Sequence, residues 1–280
     1  MLMVCLLVLA CVPAAMAEGE LMVGKFWRFS THSGLVWVLR RDAAVVQVYT
    51  EAGDMISEFD PGLDLMHTQV YAEYDYAYFV ADDGTAQTIM KIDMDGKVVG
   101  EWPVAPEMHV RQVEPIDGGL LLIIDKEPQN RYGDSDGLDN YGFYELYEMK
   151  FDDGSFWKIE GMPEISWVQY NGQYIVGVDG VEGDMYVMDA ESRDIEMETM
   201  IPGLYSVELF GDNTGAYMIN DINTVPEFPV IYGVIDIDSG EMTELLRIAE
   251  AANFQTMCAT ENSIFYAFRA DEALSVIEIE

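Results

Sequence analysis

One hairpin pattern recurs along this chain and constrains its fold more than any other feature. "VVQVYTEAGDMISEF" turns at Gly53, "TIMKIDMDGKVVGEW" at Gly96 and "LYEMKFDDGSFWKI" at Gly154. "MYVMDAESRDIEME" turns near Ser192 and "YGVIDIDSGEMTEL" at Gly240. Each begins with a strand of alternating apolar residues. An acidic or Gly-bearing turn follows, then a second strand. Two more strands precede each hairpin, joined by the polar turns "HSG", "EYD", "IDGG", "YNGQ", "GDNTG" and "TENS". Short β-rich runs broken by Gly, Asp, Asn and Pro are the mark of an all-β chain.

A repeat of roughly 40 to 50 residues with four strands per unit is the signature of a β-propeller. Six units fit, so the pattern predicts an all-β, six-bladed propeller over residues 18–280, with seven blades as the alternative. The sixth unit ends in "ALSVIEIE" with only three strands. The fourth is expected from "GELMVGK", Gly19 to Lys25, which would close the ring and hide an open edge. Glu241 to Phe254 reads either as a strand plus loop or as one short helix.

The fold-level pattern resembles secreted bacterial propellers of the PQQ-like and YVTN-like kinds. The hairpins "YGVIDIDSGEMTEL" and "DMYVMDAESRDIEM" carry that resemblance. "DDGSFW", with Asp152, Gly154 and Trp157, is similar to the Asp box of sialidase-type propellers. In that family the box is a structural turn on the face away from catalysis. Lys150 replaces the usual Ser, and no arginine triad accompanies it.

The chain has 280 residues, 51 of them acidic and 14 basic, for a net charge of −37. Such a surface repels nucleic acid and anionic lipid. It leaves cations, cationic partners and neutral ligands. Residues 1–17 read as a signal peptide: an apolar stretch from Leu2 to Val12, then Pro13 and "AMA" at 15–17. The stretch is too short for an ordinary membrane span. Export and a secreted location follow as the expectation, with lipid attachment at Cys11 as the alternative. After cleavage Cys258 is the last cysteine, and its apolar setting "FQTMCAT" marks a small buried hydrophobe rather than a nucleophile.

"DMDG" invites comparison with a calcium loop. An EF-hand counted from Asp93 needs Gly at position six and Glu at position twelve, where this chain has Val98 and Val104. A hairpin turn is therefore expected. The longest insertion, Lys126 to Glu145, separates the second and third strands of blade three. Asp134, Asp136 and Asp139 make it a candidate calcium loop, against the plainer reading of a solvated acidic loop. Tyr132, Tyr141 and Tyr144 are candidate ligand-stacking residues. His67 and His109 begin the first strands of blades two and three at matched positions near the channel mouth, as candidate ligand contacts or as a repeated packing position. The loop Asn220 to Val230, stiffened by Pro226 and Pro229, is a candidate opposite wall.

No zincin helix or P-loop motif occurs in the sequence. No catalytic residue is assigned. The reading is an exported, monomeric, non-catalytic binding or scaffold propeller for a protein, peptide or glycan. The first alternative is a polysaccharide hydrolase or lyase working at the channel mouth. The second is a propeller holding a structural calcium.

Overall fold

The computed structural model describes residues 18–125, 144–180, 182–211, 213–220, 229–248, 255–268 and 272–279. β1 (Glu18–Met22) is set aside for the last sheet. Blade one is β2 (Phe26–His32), β3 (Leu35–Arg40), β4 (Val46–Thr50) and β5 (Met55–Phe59). Blade two is β6 (Thr68–Glu73), β7 (Tyr76–Asp82), β8 (Gln87–Asp93) and β9 (Val98–Pro103). Blade three is β10 (His109–Ile116), β11 (Gly119–Asp125), β12 (Tyr144–Lys150) and β13 (Phe156–Lys158). Blade four is β14 (Trp167–Tyr170), β15 (Tyr174–Asp179), β16 (Asp184–Asp189) and β17 (Ile195–Met200). Blade five is β18 (Leu204–Leu209), β19 (Thr214–Asn220), β20 (Val230–Asp236) and β21 (Met242–Ile248). Blade six is β22 (Gln255–Ala259), β23 (Ser263–Phe268) and β24 (Ala273–Glu278), completed by β1.

Every sheet is an antiparallel meander in chain order, except that β1 adds beside β24 from the other end of the chain. Glu18 pairs with Ile277 and Leu21 with Leu274. The expected strand from the N-terminal segment is thus present. Inner strands β2, β6, β10, β14, β18 and β22 each touch the next, and β22 touches β2, so six blades close the ring. Seven blades are ruled out by that closed cycle. The segment left open between helix and strand is β strand over Met242–Ile248, and 249–254 lie outside the described residues.

Burial explains the sequence pattern. Middle strands are covered on both faces by neighbouring blades, so they read as unbroken apolar runs such as Leu120–Ile124, all buried. Outer strands alternate, and β5, β9 and β17 leave one face in water. The core is therefore six seams rather than one centre. Trp37 and Leu39 pack on Phe79 and Ile92 between blades one and two. Leu121 and Leu146 pack on Val168 and Ile175 between blades three and four. Leu21, Leu274 and Phe265 pack on Val36 and Val38 where the ring closes.

The "DMDG" turn is structural. Asp93 Oδ1 accepts hydrogen bonds from the backbone N–H of Asp95 (3.1 Å) and Lys97 (2.9 Å). Gly96 has φ +79°, and a Cβ there would meet the Phe59 ring at 2.9 Å. Asp189 and Asp236 hold the matching turns of blades four and five in the same way. The Asp-box-like segment is also a turn, with Gly154 at φ +67°. Lys150 stands 5.0 Å from the Trp157 ring.

Candidate functional site: the central channel

The inner strands enclose a cavity of about 1930 Å³. Side chains from all six inner strands line it, as do residues at both ends of those strands. One end, the loop face, carries the connections between blades and between second and third strands. The other, the turn face, carries the turns between first and second strands.

The inner strands are fastened to neighbouring blades by polar side chains. Gln112 exchanges two hydrogen bonds with the backbone of Val168 across the seam from blade three to blade four (2.7 and 3.0 Å). Gln87 does the same with Val110 from blade two to blade three (3.2 and 2.7 Å). The Thr31 hydroxyl donates to the Ala259 carbonyl across the closing seam (2.9 Å). Ser30 accepts from the Ala72 N–H, and the Trp167 indole donates to the Val207 carbonyl. Backbone groups at inner-strand edges are thereby satisfied without a continuous barrel.

The channel is electrically divided along its length. Towards the loop face stand Arg28, Arg41 and Arg111. Arg41 lies 4.4 Å from the Trp27 ring and Arg111 5.4 Å from the Tyr144 ring. The Tyr71 hydroxyl donates to the Arg111 carbonyl (2.8 Å) and lies against the Gln69 side-chain amide. Burial pushes the Tyr71 phenol up, while the charges of Arg28 and Arg111 pull it down.

Carboxylates gather towards the turn face. Glu114 on β10 accepts from the Tyr170 N–H and from Gln169 Nε2, both at 3.1 Å. Burial first, then the charge of Glu208, hold its carboxyl well above the usual carboxylate range. Glu208 on β18 is 9% exposed and accepts no hydrogen bond from a described residue. Burial pushes its carboxyl to about 8. Glu51, Asp117 and Glu261 line the same cavity at the turn face.

The two histidines singled out in the sequence each stand against their own aspartate, Asp64 just before β6 and Asp82 at the end of β7. His67 ends the short 3-10 turn Leu65–His67, and its Nδ1 lies 3.0 Å from Asp64 Oδ2. That contact holds the Asp64 carboxyl below its ordinary value. His67 lines both the channel and a smaller cavity of about 370 Å³ shared with Asp64, Asp82, Asp83 and Gly84. His109 is 8% exposed, lines neither cavity, and has Nε2 3.7 Å from Asp82 Oδ2. His32 is at the opposite end, edge-on to Tyr74 at 4.7 Å.

Tyr144 is buried where β12 begins and lines the channel. Tyr132, Tyr141, Asp134, Asp136 and Asp139 lie outside the described residues, as does most of the blade-five loop, 221–228. Among the described residues no three His, Cys, Asp or Glu side chains converge as a metal shell. Cys258 is buried, its thiol 3.7 Å from the Phe29 carbonyl and pushed well up by burial. No described helix is long and apolar enough to cross a membrane.

Sequence reasoning missed Glu114, Glu208, Arg28 and Arg111. The available signal was a charge inside an otherwise apolar inner strand, as in "VRQVEP" and "YSVELF".

The fold and channel define a six-bladed β-propeller. No family model matches the chain, and no curated protein matches it. Among solved structures it is similar to virginiamycin B lyase from Staphylococcus aureus, with TM-score 0.60 and 13% identity over 95% of this chain and 99% of that one. It is also similar to the Cps50 (Swd1) β-propeller domain of Myceliophteria thermophila, with TM-score 0.53 and 9% identity over 94% and 98%. A Bacteroides thetaiotaomicron protein of unknown function gives TM-score 0.57 and 11% identity over 94% of this chain and 72% of that one. At these identities the likeness is one of fold.

Proposed function

We propose that the protein is an exported binding propeller whose central channel receives a peptide segment of a partner protein. The carrying observation is the channel itself, about 1930 Å³ and lined by amides, hydroxyls, aromatic rings and charges of both signs. That volume exceeds the usual small-molecule pocket, and mixed polar and aromatic lining suits a polypeptide. The net charge of −37 favours a cationic partner and raises its rate of encounter. The leader-like segment over residues 1–17 supports export.

Selection from a displayed random-peptide library against the mature protein tests this reading. Thr256 lines the channel on β22, and Thr256→Trp narrows it from inside. Selected peptides should lose binding to this variant while its melting temperature stays within a few degrees. Equal binding to both proteins would move the ligand site elsewhere.

A second reading, a polysaccharide hydrolase or lyase in the same channel, draws on Glu208. A carboxyl with a pKa of about 8 is still largely protonated at neutral pH, as a general acid must be. New reducing ends or unsaturated products from a polysaccharide panel, abolished by Glu208→Gln, would favour it.

A further inference from the structure

Glu208 presents a problem that the fold alone does not solve. It is more than nine-tenths buried, faces the cavity, and has no hydrogen-bond donor among the described residues. Buried carboxylates ordinarily find donors or cationic partners, whereas the Glu208 carboxylate is left facing the cavity. Two blades away, Glu114 has one bond to each oxygen, both from blade four. A carboxylate offers about four acceptor positions, so Glu114 retains capacity.

We propose that the channel holds a primary ammonium group on an alkyl chain, seated between Glu208 and Glu114 and entering from the turn face. The proposal rests on the channel being the ligand site. An ammonium has three donors and one compact charge, which suits carboxylates on two strands separated by β14. A metal ion fits less well, since no three-ligand shell converges among the described residues. Entry from the turn face follows from position. Glu114 lies two residues before Ile116 ends β10, and Glu208 one before Leu209 ends β18. Glu51, Asp117 and Glu261 line the approach and attract a cation. Tyr170 and Phe210 line it as well and offer ring surface to the alkyl chain and charge. Arg111 stands three residues up β10, roughly 10 Å away at strand rise, so the repulsive end of the channel is remote.

The groups that face Glu208 include Glu114 on β10, Tyr71 on β6 and Cys258 on β22. Arg28 and Arg111 act on Tyr71 from above, and Glu73 acts on Glu114. Binding a cation requires Glu208 in its charged form. Below about pH 8 the ligand must displace its proton, so affinity should rise with pH up to that value.

The ammonium has two natural sources, a free alkyl amine or a lysine side chain. Isothermal titration with 1,4-diaminobutane and, separately, with Nα-acetyl-lysine amide distinguishes them. Tetramethylammonium at equal ionic strength is the control, because it carries charge without donors. At least one amine should bind one-to-one, and the one that binds identifies the source. Binding should strengthen between pH 6 and pH 8 with proton release. Glu208→Gln should weaken it by roughly tenfold or more and flatten the pH profile, and Glu114→Gln should weaken it less. No saturable binding by either amine, equal binding by tetramethylammonium, or an unchanged profile in Glu208→Gln would overturn the proposal. The peptide reading has its own test: library peptides that lose binding to Thr256→Trp yet ignore Glu208→Gln would preserve it while this inference fails.

Discussion

Gln112 and Val168 lock blade three to blade four through a closed ring of two hydrogen bonds, 2.7 Å from the side-chain amide to the carbonyl and 3.0 Å from the backbone N–H back to Oε1. Both residues are buried, so neither backbone group has water as a substitute. Gln112→Leu keeps approximate volume and leaves two orphans. The expected loss is roughly 1–3 kcal/mol for each group left unpaired. Urea unfolding checks it, and Gln87→Leu at the preceding seam should behave alike.

Gly96 is held at φ +79° with the Phe59 ring against it. Gly96→Ala should therefore cost about 1–2 kcal/mol from the backbone alone, plus the displacement of Phe59. A glycine-to-alanine change that stabilised the protein would contradict this geometry.

Glu208 should make the fold lose stability as the pH rises from about 4.5 to about 8. Its folded pKa is raised, to about 8, so between the unfolded value near 4.5 and 8 the folded state binds more protons than the unfolded one. Its contribution is full below that window and is lost through it. Glu208→Gln should match the parent near pH 4.5 and melt several degrees higher near pH 8.5. Parallel melting curves across that range would refute the assignment of a burial-raised carboxyl.

Leu21 places the closing strand in the seam between blades six and one, where it is 6% exposed. Leu21→Ala should cost about 2–5 kcal/mol, as in other buried leucines. Limited proteolysis should then cut first within the N-terminal segment.

Calcium and magnesium at equal ionic strength should raise the melting temperature equally, since both screen the net charge of −37. A calcium-specific rise, removed by changing Asp134, Asp136 and Asp139 together, would assign the insertion as an ion site instead.

The fold was largely readable in the sequence because each hairpin carries its own local chemistry. Asp93, Asp189 and Asp236 bond the N–H groups just after them, and that requirement appears as an acidic turn in the one-dimensional text. The channel site was not readable in the same way. Glu114 and Glu208 sit among 51 acidic residues, and nothing local separates them from the solvated majority. Only the packing of blades three, four and five side by side brings β10 and β18 to the same space. His67 and His109 show the intermediate case. Their matched positions were visible, but one is half exposed against Asp64 and the other is buried near Asp82, a difference set by neighbouring strands.

The pairing of Glu18 with Ile277 has a consequence in time as well as in space. Blades one to five each pair strands near one another in sequence, and those hairpins can form while synthesis continues. The sixth blade waits for β1 and β24, which lie far apart in the sequence. Until the final strand emerges from the ribosome, β1 has no partner and the seam between blades six and one stays open. These contacts of very high sequence separation, β1 with β24 and β2 with β22, make ring completion the expected slow step of folding.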